Sequence, residues 1–425
     1  MRLSASPVLA PRLLLLLDQS VFSIANFILT IVLARHYPAA QFGAYGVGLT
    51  AALTIQFVQR NLYVVSLSLM SERVALRKLP GVIAKHLLVT GGTIAILGLA
   101  AALVVFAGAD DATVDVIVAT LSCIVVYFQA DFDRAVLVKR GAYGGAVLLS
   151  VVYLGIVLGL LAVVQVMPIG FDVFMGVLGF GCLAKGGWLV LLRIKPRWGW
   201  GLRFIARDWQ HYGVPTLFSA ASNAAYSNVP VMVLAATRGP AEVAGMMAMR
   251  SLTMPLNLVL RSFDAVDKNR FRSLSGGTAS GVRRIFWRTM LGYALLGAAA
   301  LAVLAVFSHP IIALVYHDRY SGFTGLLLAW CAYCALLGLI QPLQSVVLLT
   351  GKQHSTTRLA TISGIVAVVI AFATCKRFGA TGAMTATLTA VALNVALSAF
   401  VVRGLIFGTR EISLPKERLT GRDVG

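Results

Sequence analysis

Three arginines interrupt long apolar runs in this sequence: Arg60, Arg250 and Arg261. An arginine inside a membrane-spanning helix costs at least about 2.5–3.5 kcal/mol by insertion scales. A partner, a cavity or a ligand must offset that cost. The guanidinium is planar, stays charged and presents a fork of N–H donors. That fork matches phosphate or carboxylate oxygens two at a time. Gln56 and Arg60 stand at i and i+4, so they share a helix face. Arg250, Met254, Asn257 and Arg261 stand at i, i+4, i+7 and i+11, which on one continuous helix aims both arginines the same way. Snorkelling to the interface is the alternative, and it applies most to Arg261, near a helix end. Arg60 is expected deep in its helix and Arg250 in the outer half of its own. The chemistry implied is reversible binding of an anion, without a covalent step.

Uncharged polar residues repeat at the same spacing. Gln19, Ser23, Asn26 and Thr30 form one stripe, and Thr216, Ser219, Asn223 and Tyr226 form another. Such stripes either line a water-filled cavity or glue helices together. The acids are scarcer. Asp18 lies one turn inside an apolar run, and Asp131 and Asp133 lie at the end of another, beside Arg134, Lys139 and Arg140. Structural ion pairs are the preferred reading for all three, with the nearby bases pairing Asp131 and Asp133. A proton or Na⁺ site at Asp18 is the alternative. Lys185 is expected to snorkel. The five cysteines and six histidines show no metal-ligand spacing, so no metal is expected; Cys331 and Cys334 have CxxC spacing inside an apolar helix, where packing is expected. No catalytic residue, phosphate-binding loop or nucleophile elbow is recognisable, and no enzyme is expected.

The elements that must position these residues are helices in a bilayer. The chain has 425 residues, 59% hydrophobic and 12% charged, with a mean hydropathy of +0.86. A span needs about 20 apolar residues, and about twelve such stretches are present. They are Leu13–Ala34, Gly43–Met70, Ile83–Ala107, Thr113–Phe132, Ala146–Met167, Phe171–Leu192, Tyr212–Thr237, Val243–Phe263, Ile285–Phe307, Phe323–Leu349, Thr357–Cys375 and Thr381–Arg403. Long apolar runs exclude a transmembrane β-barrel. The first run continues past Asp18 without a cleavage site, so it reads as a span and not a signal peptide. The net charge of +20 does not point to nucleic acid. Most of the Lys and Arg fall on one side of the twelve-span topology, while the opposite loop carries Asp110, Asp111 and Asp115. This positive-inside pattern places both termini in the cytoplasm and the basic loops against anionic headgroups.

The basic, Trp-rich stretch 193–210 divides the chain into an N-terminal six-helix lobe, 1–192, and a C-terminal one, 211–425, with a cytoplasmic tail. Pro38-Ala-Ala-Gln-Phe-Gly43 recurs as Pro240-Ala-Glu-Val-Ala-Gly245, 202 positions later. In both places it joins the first and second spans of its half. Asn26 and Asn228 each precede the motif by twelve residues. Two six-span halves have the same orientation, which is a parallel repeat. The fold class expected is all-α integral membrane.

Asp18-Gln-Ser-Val-Phe-Ser-Ile-Ala-Asn-Phe27, Ala34-Arg35 and Phe42-Gly-Ala-Tyr45 resemble the start of polysaccharide-biosynthesis flippases. These belong to the multidrug/oligosaccharidyl-lipid/polysaccharide (MOP) exporter superfamily. Gln341-Pro342, Gly351-Lys-Gln353 and Phe378-Gly-Ala-Thr-Gly-Ala383 extend the resemblance to the C-terminal half. The resemblance implies two six-helix lobes in a V, with alternating access. It implies movement of undecaprenyl-pyrophosphate-linked glycans across a bacterial cytoplasmic (inner) membrane, for O-antigen, capsule or exopolysaccharide synthesis. Twelve spans point away from the lipid II branch, which usually has fourteen. The implied partners are membrane lipids, the lipid-linked glycan, and a polysaccharide polymerase and glycosyltransferases. By position, a cationic cavity maps onto Arg60, Arg250 and Arg261, with Gln56, Asn257, Asn26 and Asn223 beside them. No cofactor is implied beyond H⁺ or Na⁺ coupling. The alternative is a cation-coupled multidrug exporter of the same fold, which would need buried acids.

Overall fold

The computed structural model describes residues 9–64, 67, 72–187, 221–222, 224–273, 279–317, 319–349 and 353–406. Among them the regular structure is helical and no strand occurs. Among the described residues, seven helices are long and apolar enough to cross a membrane, or eight if one bent pair is a single span. This is a multi-pass membrane protein. The expected twelve stretches are mostly helical where they are described, with breaks at Gly186–Gly187, Asn228 and Thr253, and fewer than twelve helices meet that test for a span.

The chain divides into two compact units, Met1–Ala224 with Val231–Ser251, and Ala225–Pro230 with Leu252–Gly425. The expected divider, 193–210, lies outside the described residues. In the first unit α1 is Leu9–His36, α2 Ala39–Gln59, α3 Glu72–Phe106, α4 Asp111–Lys139, α5 Tyr143–Val166 and α6 Phe171–Lys185. Helix α7, Val229–Arg238, falls mostly in this unit, and α8, Pro240–Leu252, almost wholly. Helix α4 is the hub. It packs on α2, α3, α5 and α6, while α5 also packs on α1. Its start is capped by Asp110, whose carboxylate accepts from the Thr113 amide at 3.2 Å and from the Thr113 hydroxyl. Asp111 in the first turn complements the helix dipole. Gly108 and Gly141, both at positive φ, turn the chain before and after it.

Glycines let α2 approach its neighbours closely. A Cβ on Gly48 would lie 2.6 Å from the Thr120 amide nitrogen of α4. One on Gly43 would lie 1.7 Å from the Pro240 carbonyl oxygen, and one on Gly46 would lie 2.4 Å from the Met247 side chain of α8. The two copies of the Pro-Ala-x-x-x-Gly motif therefore meet at the Gly43–Pro240 contact.

In the second unit α9 is Met254–Ser273, α10 Ala279–Tyr316, α11 Thr324–Leu349 and α12 Gln353–Ile406. Helix α11 packs on α9, α10 and α12. Phe286, Leu343, Val346, Val347 and Val402 form a shared core. Helix α12 spans two of the expected stretches and breaks between them at Gly379, with φ 56 and ψ −133. The Thr374 hydroxyl reaches across the break to the Gly382 carbonyl at 3.0 Å. That backbone region is open to glycine and strained for any side chain, by about 1–3 kcal/mol. Gly379→Ala should therefore lower the unfolding midpoint of the purified protein, as read by a thermal melt in detergent. An unchanged midpoint would show that the break tolerates a Cβ.

Candidate functional site

Arg60, expected deep within the second span, stands where α2 passes into a π-turn, Arg60–Val64, that continues the helical run. Turns of this kind recur at functional sites because they re-aim side chains. The Arg60 side chain is 56% exposed, and its Nε lies 3.7 Å from the Asp131 carboxylate. Gln56, one turn earlier, faces α4 as its spacing required, and its amide donates to the Tyr127 carbonyl at 3.2 Å.

Arg250 and Arg261 do not share a helix. The chain bends by 46° between α8 and α9, around Thr253. Pro255, next in line, has no N–H to continue the ladder. The face-sharing inference assumed one continuous helix, an assumption the break at Thr253 removes. Arg250 belongs to the first unit, and its charge acts on the Tyr45 and Tyr127 hydroxyls. The Arg261 side chain lies outside the described residues, as does Asn223. Asn257 is half-buried in α9 and donates to the Thr253 carbonyl at 3.4 Å.

Asn26 is 5% exposed and tied into the interior. Its Oδ1 accepts from the Tyr127 and Tyr153 hydroxyls, each at 3.0 Å, and its Nδ2 donates to the Phe22 carbonyl at 2.8 Å. Asn26 therefore joins α1 to α4 and α5. Thr30 is likewise turned to its own helix, donating to the Asn26 carbonyl at 2.8 Å. The sequence placed Asn26 on the right face. It did not reveal the two tyrosines, which lie more than a hundred residues away.

The acids find different partners from those expected. Asp18 is 1% exposed and bonds both Arg134 of α4 and the Ser150 hydroxyl of α5. Asp133 pairs with Lys185 at 4.0 Å, where both side chains are sealed, at 2% and 4% exposure. Lys185 does not snorkel. Its ammonium also lies 5.9 Å from the Tyr153 ring centroid. Asp131 faces Arg60, and neither acid of α4 takes Arg134, which is committed to Asp18. Arg134, the nearest base in sequence, points to Asp18 instead, so proximity misled for that residue.

A polar chain leads to Asp133. Gln129 Nε2 donates to its carboxylate at 2.6 Å, and Gln129 Oε1 accepts from His86 at 3.2 Å. His86 Nε2 then carries the proton, so Nδ1 accepts from the Tyr63 hydroxyl at 2.7 Å. The imidazole stacks flat on Phe132, 3.8 Å between ring centroids. The sequence reading had no role for Tyr127, Tyr153, Gln129 or His86. Gln129 and Asp133 at i and i+4 were the one visible signal. Among the described residues, no group of His, Cys, Asp and Glu is placed to hold a metal ion.

Breaking a buried pair from one side leaves an uncompensated charge and costs about 3–5 kcal/mol. Lys185→Gln should accordingly destabilise the protein, and Asp133→Asn with Lys185→Gln should recover most of the loss. Thermal unfolding of the two purified variants checks this. Equal loss in the single and double variants would mean that packing, not charge, dominates there.

Arg60 presents a partly exposed cation beside Asp131, and the charge of Arg250 acts on Tyr45 and Tyr127. No protein-family model and no curated protein matches the chain. Solved structures do. An inward-facing multidrug resistance MATE family transporter of the MOP superfamily matches over 93% of this chain and 99% of its own, at 14% identity and a TM-score of 0.70. An inward closed lipid II flippase, MurJ, matches over 91% and 86%, at 14% identity and 0.68. A MOP superfamily transporter from Pyrococcus furiosus, described as having a binding pocket of reverse polarity, matches over 92% and 94%, at 14% identity and 0.55. These neighbours are transporters and flippases, not enzymes. The chain has the fold of the MOP superfamily transporters.

Proposed function

We propose that this chain is a flippase. It carries an undecaprenyl-pyrophosphate-linked oligosaccharide across the bacterial cytoplasmic membrane by alternating access, for O-antigen, capsule or exopolysaccharide synthesis. The observation that carries this reading is the exposed Arg60 guanidinium, in the same unit as Arg250. Pyrophosphate is a doubly forked acceptor that arginine binds bidentately, while a lipid tail can stay in the bilayer. Asn26 and Gln56 support the helices around the anion site and do not line it. The lipid-linked glycan is the partner with a stated role; a polymerase and glycosyltransferases would act on either side of the transport step.

A cation-coupled multidrug exporter of the same fold is the second reading. It needs acids open to a cationic drug or a coupling ion. Three acids of the first unit each face a base instead: Asp18 faces Arg134, Asp131 faces Arg60 and Asp133 faces Lys185. The anion reading is therefore preferred, and an ion site at Asp18 loses its motive.

A charge-assisted hydrogen bond contributes about 1.5–3 kcal/mol, or roughly ten- to a hundredfold in affinity. Arg60→Ala and Arg250→Ala should each cut surface glycan sharply in a strain lacking the native gene, with the protein still inserted. Deleting the gene should leave an undecaprenyl-linked glycan on the cytoplasmic side, found by lipid extraction and mass spectrometry. Wild-type surface glycan in both arginine variants would remove the reading.

A further inference from the structure

Three ion pairs of the first unit differ in how far they are sealed. Asp133 and Lys185 are 2% and 4% exposed, and Asp18 and Arg134 are 2% and 23% exposed. Asp131 and Arg60 are 13% and 56% exposed. The third pair is loose as well as exposed, whereas Asp133–Lys185, at 4.0 Å, is loose but sealed. At 3.7 Å the third pair is within ion-pair reach and beyond hydrogen-bond length, and Asp131 Oδ2 has no hydrogen-bond partner. Asp18 and Asp133 are each held by a hydrogen bond, from Ser150 and from Gln129 respectively. Those bonds fall on the oxygens turned away from the base, and Asp133 Oδ2, like Asp131 Oδ2, accepts no hydrogen bond, so exposure is what sets the Arg60 pair apart.

We infer that Asp131 is an exchangeable counter-ion for Arg60, occupying the guanidinium when no anionic ligand is bound and yielding it to the pyrophosphate of the substrate. This rests on the proposed binding of an anion at Arg60. The carboxylate neutralises Arg60 in the empty protein, so the cation does not stand uncompensated at a membrane depth where that is costly. It also competes with the ligand and weakens apparent affinity. A transporter gains from this, because a ligand held too tightly is not released. The loose geometry suits exchange, since little hydrogen bonding is lost when the pair opens. The groups around Asp131 do not replace it: Arg134 is bound to Asp18, and Lys185 lies against Asp133.

The test is binding of geranyl pyrophosphate to the purified full chain in nanodiscs of zwitterionic lipid, by calorimetry. Asp131→Asn should tighten binding by about two- to fivefold, the size of a partly exposed ion pair. Asp131→Ser, a second variant with the same charge change, should do the same. Arg60→Gln should weaken binding, and adding Asp131→Asn to Arg60→Gln should restore nothing, because the competitor's target is gone. Unchanged or weaker binding in both Asp131 variants, with Arg60→Gln still weakened, overturns the counter-ion and leaves the anion site standing. Wild-type binding by Arg60→Gln overturns both. Repeating the titration with an anionic phospholipid in the nanodisc separates the two sources of phosphate. If that lipid alone abolishes pyrophosphate binding, the occupant is a headgroup and the assignment to substrate falls.

Discussion

A charge taken out of water must take its countercharge with it. The first unit is built around that constraint at the C-terminal end of α4. Asp131, Asp133 and Arg134 lie within four residues of one another, and each meets an opposite charge from a different element. Arg134 takes Asp18 of α1, Asp133 takes Lys185 of α6, and Asp131 takes Arg60 at the end of α2. An unpaired buried charge costs several kcal/mol, so each pair fixes the rotation and height of one helix against α4. The chain from Gln129 through His86 to Tyr63 does the same for α3 and the π-turn. Higher along α4, Tyr127 repeats the device without charge, by bonding Asn26.

Apolar burial alone cannot set these positions in a bilayer. Lipid tails are as apolar as leucine, so helices associate by close packing and polar contacts. The glycines of α2 provide the first. Gly48 admits α4, and Gly43 and Gly46 admit α8. The repeated motif takes on unequal roles in this contact. The first copy supplies the glycine that receives, and the second supplies the proline carbonyl that is received. A repeat in sequence is thus compatible with an asymmetric joint in space.

What the sequence made legible follows from the range of each interaction. Apolar runs and the Pro and Gly between them are local, and the helices lie where those runs lie. Phe378-Gly379 was visible as a boundary, and the backbone does break there. The π-turn at Arg60 was not visible, because it leaves no signature in an apolar stretch. Arg250 and Arg261 were aligned because spacing assumes a straight helix, and the bend at Thr253 removes that assumption. Lys185 was assigned to the surface because its partner, Asp133, is fifty-two positions earlier on another helix. Residue type marked the groups that matter. Pairing between helices decided what each of them does.

Burial separates the structural pairs from the one that can act. Asp18 with Arg134 and Asp133 with Lys185 are closed to solvent on the acid side, and each acid has a further hydrogen bond. Opening either would strand a charge in a low-dielectric interior, so they persist throughout any cycle the protein performs. The Arg60 side chain is more than half exposed, so an exchange of partners there does not strand its charge in the protein interior. The same chemistry, carboxylate against cation, therefore serves two ends within one helix turn of α4. Sealed, it fixes helices in place. Open, it leaves a cation that is neutralised at rest and still available to an anion.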